Sequence, residues 1–313
     1  MERMPVWIDT DPGVDDALAI LMALASPRHR VLGLGVAAGN VGLVHTTRNA
    51  IKLLEVAGRS EVPVHAGCDR PLLHRGPDAA FVHGRDGFGD VGYAAPRGRP
   101  ANTHAALALL ELSQRHAGEL LVVTLGPLTN LALALRLDPG LPARVARLVV
   151  MGGAVTGRGN ITPSAEFNIA FDPEAAHIVF SAWPRFDLVD WEATLRHGFG
   201  FDAFDRWVGE GGELARFYRD ISRASRAFSA ARAGAWHSAD GLAMAVALEP
   251  EAVLESTVRQ VEVELGGQLY RGATRVDWGR PEDGEGNARI VQRFDQERFV
   301  GWIRTALAGP PSA

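Results

Sequence analysis

The sequence predicts an α/β protein built on a doubly wound, mainly parallel sheet with helices on both faces. Two observations predict it. Over the first two-thirds of the 313 residues, short apolar runs alternate with longer stretches whose apolar residues recur at helical spacing. The strand-like runs are also apolar at every position rather than at alternate ones, as burial on both faces requires. Right-handed crossovers then distribute the helices over the two faces.

In chain order, strands are expected at 6–8, 31–38, 62–64, 120–125, 147–151 and 186–189. Helical spacing falls between them, at 15–25, 44–57, 104–115, 128–137 and 173–180. The Arg- and Ala-rich stretch 201–248 reads as a helical subregion packed over one end of the sheet, interrupted by Gly-Glu-Gly-Gly at 209–212. A few C-terminal antiparallel strands are expected at 258–265, 268–272 and 289–294, then a closing helix at 296–307. Residues 1–308 therefore form a single domain, and 309–313 a frayed tail.

Composition narrows the function classes. With 47% apolar and 22% charged residues the chain can bury a large core. Its net charge of −5 gives no reason to expect nucleic acid or an anionic membrane as partner. Cys68 is the only cysteine, which excludes an intrachain disulfide and fits a reducing cytoplasm. The N-terminus runs almost directly into the first strand without a signal-like segment, and no apolar run is long enough to span a bilayer. A cytoplasmic location is the expectation.

The chemistry is concentrated in DTDPGVDDALAI at 9–20. Asp9 and Asp11 end the first strand, and Asp15 and Asp16 open the following helix, at the carboxyl edge where open α/β sheets bind ligands. Carboxylates at a helix N-terminus are ordinary caps, which explains Asp15 or Asp16 but not Asp11 facing them with like charge. Such a cluster needs a proton or a cation. Its donors are all oxygens, so a hard cation, calcium or magnesium, is expected rather than zinc. Asp240 opens another apolar helical run and could point into the same cleft. Asn40, the 124–130 segment, Asn160, Glu166 and Asn168 follow other predicted strands. Together they make a polar rim suited to a polyhydroxylated ligand such as ribose.

The first motif, together with Ala38-Gly39-Asn40, the 82–87 segment VHGRDG, Gly126-Pro127-Leu128-Thr129-Asn130, Met151-Gly152-Gly153 and Ala165-Glu166-Phe167-Asn168-Ile169, resembles the inosine-uridine nucleoside hydrolase family. The motifs stand in the family's order over roughly 5–305. The resemblance implies calcium-dependent hydrolysis of the N-glycosidic bond of ribonucleosides. It implies Asp11, Asp16, the carbonyl of Leu125 and Asp240 as calcium ligands, with Asp11 also the base for the attacking water. Asp15, Asn40, Asn160, Glu166 and Asn168 would bind the ribose, His83 would line the nucleobase end, and Phe167 would also touch the substrate. It further implies a homodimer or homotetramer acting on a small nucleoside.

One position departs from the family's pattern. Where nonspecific members place a His before the last calcium-binding Asp, this chain has Ala239, with His237 and Trp236 nearby as substitutes for the leaving-group side. Two other functions compete. Asp9-Thr10-Asp11 resembles the aspartyl-phosphatase signature of the haloacid dehalogenase type, but Pro12-Gly13-Val14 replaces the Gly-Thr expected there. Loss of the His could also leave a non-catalytic nucleoside- or ribose-binding protein. A loose glycine pattern, Gly33-x-Gly35-x-x-Ala38, lies inside a predicted strand and is weak evidence for a dinucleotide site.

Overall fold

A computed structural model describes residues 3–74, 76, 78–232, 234–279 and 285–309. The tail expected at 309–313 lies outside these residues apart from Gly309. Ten strands are described: β1 (Met4–Thr10), β2 (His29–Val36), β3 (Val64–Ala66), β4 (Leu120–Thr124), β5 (Val145–Met151), β6 (Phe186–Val189), β7 (Val253–Arg259), β8 (Val261–Val263), β9 (Thr274–Val276) and β10 (Ala288–Phe294). Eight of them make one sheet in the order β3-β2-β1-β4-β5-β6-β10-β7. All its pairs are parallel except β10 with β7.

Successive side chains of the central strands feed two separate cores. Val6, Ile8, Leu121, Val123, Val149 and Met151 enter one. Trp7, Leu120, Val122, Leu148 and Val150 enter the other. Both faces are covered, hence the unbroken apolar runs in the sequence. On the first face the helices Val14–Ala25, Ala239–Leu248 and Gln296–Ala308 pack together. On the second lie Ala105–Arg115, Thr129–Leu137 and Pro173–Ala182.

The chain order reverses between β1 and β4: β2 and β3 lie to one side, β4, β5 and β6 to the other. At such a switch point the two adjoining loops diverge and leave a crevice beyond the carboxyl ends of the strands. Asp11 follows β1 and Leu125 follows β4, so the crevice is bounded by these two residues.

The structure corrects four sequence expectations. The strand expected at 258–265 breaks at Gln260, because the Asn287 side chain takes the backbone N–H and C=O of Val261 and draws β8 out of the main sheet. Residues 268–272 are a turn ending at Gly272, whose φ of 82° a strand cannot use; the short β9 comes after it and pairs with β8. β10 is parallel to β6 as well as antiparallel to β7. The helical stretch also divides. Phe201–Glu210, Glu213–Ile221 and Arg223–Arg232 form the cap, with the first break at Gly211-Gly212, whereas every residue of Ala239–Leu248 is buried against the sheet.

Candidate active site

Two of the four clustered acids are fixed by nearby donors, Asp16 by those at the end of β1 and Asp11 by one in the loop after β2. Asp16 stands at the third position of its helix and accepts from the N–H of Gly13 (3.0 Å) and Asp11 (3.2 Å) and from the Thr10 hydroxyl. It therefore caps the helix. Its Oδ2 also accepts from Asn40 Nδ2 at 3.0 Å. Asp11 Oδ2 accepts from the Asn40 N–H at 2.7 Å. Its Oδ1 is buried with no hydrogen-bond partner.

Across the crevice, Ser238 caps the helix Ala239–Leu248, which sets Asp240 in its first turn. Carboxylate oxygens of Asp15, Asp16 and Asp240 lie within 4.8 Å of one another. This is the one group of three or more potential ligand residues among the described residues, and Asp11 stands beside it. Asp9 points the other way, into the second face, where Asn130 Nδ2 donates to both its oxygens at 3.2 and 3.3 Å.

Burial raises every one of these acids. It pushes Asp15 up to about 6 and Asp9 to about 7. Asp11, Asp16 and Asp240 rise too, through burial first and mutual repulsion second. An orphaned, buried Asp11 oxygen beside three converging carboxylates, with oxygen donors alone, fits a hard divalent cation. The cluster could hold a metal ion.

The sugar-side residues gather around the same floor. Glu166 caps the helix Phe167–Phe171, accepting from Asn168, Ile169 and Gly153 N–H groups, and burial pushes it to about 7. Asn168 Nδ2 donates to the Leu125 carbonyl at 2.7 Å and to the Met151 carbonyl at 3.3 Å. Asn160 Oδ1 accepts from the Phe167 N–H at the exposed mouth. Asp15, Asn40, Asn160, Glu166, Phe167 and Asn168 all line one cavity of about 420 Å³, with Leu125 and Asp240. That volume suits a nucleoside-sized ligand.

His83, Trp236 and His237 all border the same cavity. His83 Nδ1 accepts from the Val14 N–H at 3.2 Å, and burial lowers its pKa to about 4, so it is neutral with its proton on Nε2. Trp236 is 3% exposed and sits among Phe199, Phe204, Trp207 and Tyr218. His237 lines the cavity, yet its ring leans on Trp191 and its Nε2 faces Gly198.

Several lining residues went unread in the sequence. Phe81 and Phe228 meet across the mouth at 5.7 Å, with the Arg232 guanidinium 4.4 Å over Phe228. Tyr218 forms part of the wall. Trp191 could have been found, because it follows β6 at the same carboxyl edge as the others. The glycines of the loose dinucleotide pattern have another purpose: a Cβ at Gly33 or Gly35 would press on the Trp7 ring inside the sheet.

The family model for inosine-uridine preferring nucleoside hydrolases matches residues 6–301. The chain belongs to that family. It is 35% identical over 311 residues to the inosine-uridine preferring nucleoside hydrolase of Crithidia fasciculata, covering 96% of each chain. It is 39% identical over 321 aligned positions to a probable uridine nucleosidase 1 of Oryza sativa subsp. japonica, covering 99% of this chain and 98% of the other. The solved structure of an inosine-guanosine nucleoside hydrolase superposes with a TM-score of 0.90 at 32% identity, over 97% of this chain and 98% of that one. A nucleoside hydrolase cleaves N-glycosyl bonds, and this chain is a hydrolase of that class. Phosphatase and dinucleotide-module readings have no place in that family. Among the described residues no helix is long and apolar enough to cross a membrane.

Proposed function

We propose that the chain hydrolyses ribonucleosides to free base and ribose with a calcium ion held by Asp11, Asp16, Asp240 and the carbonyl of Leu125. The observation that carries this reading is the Asp11 Oδ1 atom, buried and unpartnered beside the Asp15, Asp16 and Asp240 carboxylates. When bound by these residues, calcium would neutralise the acids and make a nearby water more acidic.

Asp11 Oδ1 takes the proton from the attacking water. Asp15, Asn40, Asn160, Glu166 and Asn168 grip the ribose and orient its anomeric carbon toward that water. As the glycosidic bond lengthens, the ribosyl group gains positive charge, which the buried carboxylates favour. Attack opposite the base gives inversion. His83 and Phe167 face the nucleobase. The assembly proposed is a cytoplasmic homodimer or homotetramer, open to test by light scattering.

Relatives bear names with different base preferences, so the base is settled by assay. A panel of inosine, adenosine, guanosine, uridine and cytidine is expected to release free base, lose that activity in chelator, and regain it with calcium. Binding of nucleoside without release of base would instead support a non-catalytic binding protein. Activity indifferent to chelator would overturn the metal role.

A further inference from the structure

The cavity floor is rich in acceptors and poor in free donors. Asp15, Asp240 and Glu166, when ionised, only accept hydrogen bonds. Asn40 Nδ2 is committed to the Asp11 carbonyl and Asp16, and Asn168 Nδ2 to the Leu125 and Met151 carbonyls. A sugar hydroxyl has one proton to give and lone pairs to fill. Asp15 can take the proton. The Asn160 amide at the mouth and the His83 Nε2–H can also donate, and a hydroxyl beside Asp15 and Asp240 would add a donor at the floor itself.

Tyr218 is placed to do so. It lies on the helix Glu213–Ile221, which turns its apolar face to the core and leaves the ring edge-on to Trp236 at 6.4 Å. The side chain is 1% exposed and borders the cavity. Its hydroxyl feels the charges of Asp15 and Asp240 without bonding to either. Ser222 Oγ faces it one turn along, yet neither oxygen has a partner in hydrogen-bond geometry. A buried hydroxyl left unpaired costs stability unless a ligand pairs it. Packing alone would be served as well by phenylalanine.

We propose that Tyr218 is a substrate-binding residue whose hydroxyl donates to the ribose hydroxyl that Asp15 accepts from. The inference rests on the ribonucleoside reading above and deepens it by adding a donor to the sugar site. The hydroxyl on the sugar then bridges Tyr218 and Asp15, so the enzyme distinguishes a ribonucleoside from the matching deoxynucleoside through both partners. A site built to pair a substrate hydroxyl rejects the analogue that lacks it, because its own groups are left unpaired.

The test compares wild type with Tyr218→Phe on the best-hydrolysed nucleoside of the panel and on its 2′-deoxy and 3′-deoxy forms. Tyr218→Phe is expected to lower kcat/KM on the ribonucleoside about tenfold. On one of the two deoxy forms it is expected to cost nothing further, which identifies the hydroxyl that Tyr218 holds. Its melting temperature should stay level or rise, since the variant deletes an unpaired buried group. An equal loss on all three substrates, or no loss on any, overturns the proposal; a uniform loss with a lower melting temperature makes Tyr218 structural. If wild type releases no base from any nucleoside, the parent reading fails and this one falls with it.

Discussion

Asp11 rests against Gly39: a Cβ at position 39 would overlap Asp11 Oδ2, the same oxygen that accepts the Asn40 N–H at 2.7 Å. Gly126, from the loop after β4, closes on the other side, where a Cβ would overlap Oδ1. The two glycines thus fix where this carboxylate can be, and neither has a positive φ that would demand glycine for backbone reasons.

Gly39→Ala therefore tests position alone. The added methyl must displace the Asp11 carboxylate, and a displacement near 1 Å costs about a hundredfold in rate. A hundredfold fall in kcat/KM is expected, while Gly42→Ala, where a Cβ meets nothing within 4 Å, should leave kcat/KM unchanged. Gly39→Ala retaining activity within threefold would show that the Asp11 position is not critical.

Asp11→Asn separates the base from the fold. The amide keeps the shape and removes a buried charge from beside Asp15, Asp16 and Asp240. In chelator the variant should melt no lower than wild type, because an unpaired buried carboxylate is destabilising. Hydrolysis should be abolished, and the rise in melting temperature on adding calcium should shrink. Near-normal turnover would remove Asp11 from the role of base.

The raised acids make a pH prediction. A carboxyl whose folded pKa lies above its unfolded value holds its proton in the folded chain after the unfolded chain has released it. Rising pH then costs stability from about 4 up to the folded pKa. Asp15 loses its contribution up to about 6, and Asp9 and Glu166 up to about 7. Asp11, Asp16 and Asp240 act in the same direction. His83 and His29, both lowered to about 4 by burial, act oppositely between about 4 and 6.5, but they are fewer. Each group titrating differently contributes on the order of 1.4 kcal/mol per pH unit. In chelator the melting temperature should fall as pH rises from 4.5 to 7, and calcium should flatten or reverse that slope. A flat chelator profile would count against a cluster of uncompensated acids.

How much of this was legible in the sequence follows from how local each feature is. Asp11, Asp15 and Asp16 sit in one strand–turn–helix segment, so their convergence could be read from spacing. The alternation of apolar runs likewise carried the sheet and its two covered faces. The clamp on Asp11 could not be read, because Gly39 and Gly126 come from different loops brought together only by the reversal of strand order. Ala239–Leu248 follows the cap helices directly in sequence, yet its all-round apolar composition is that of a buried helix. Tyr218, Phe228 and Arg232 carry no mark in one dimension; only the fold turns them toward the cavity.

His237 supplies the last prediction. It stands near the expected leaving-group position and lines the cavity, which favours a role as proton donor to the departing base. Its surroundings argue otherwise. Burial is the main cause that lowers its pKa, which disfavours the protonated form an acid needs. Its Nε2 faces Gly198, and the ring leans obliquely on Trp191. A residue held in this way acts mainly as wall. His237→Ala is expected to keep kcat/KM within about tenfold, below the 10²–10⁴-fold typical of a general acid. A larger loss, together with disappearance of the alkaline limb from the pH–rate profile, would make His237 the leaving-group acid despite its contacts.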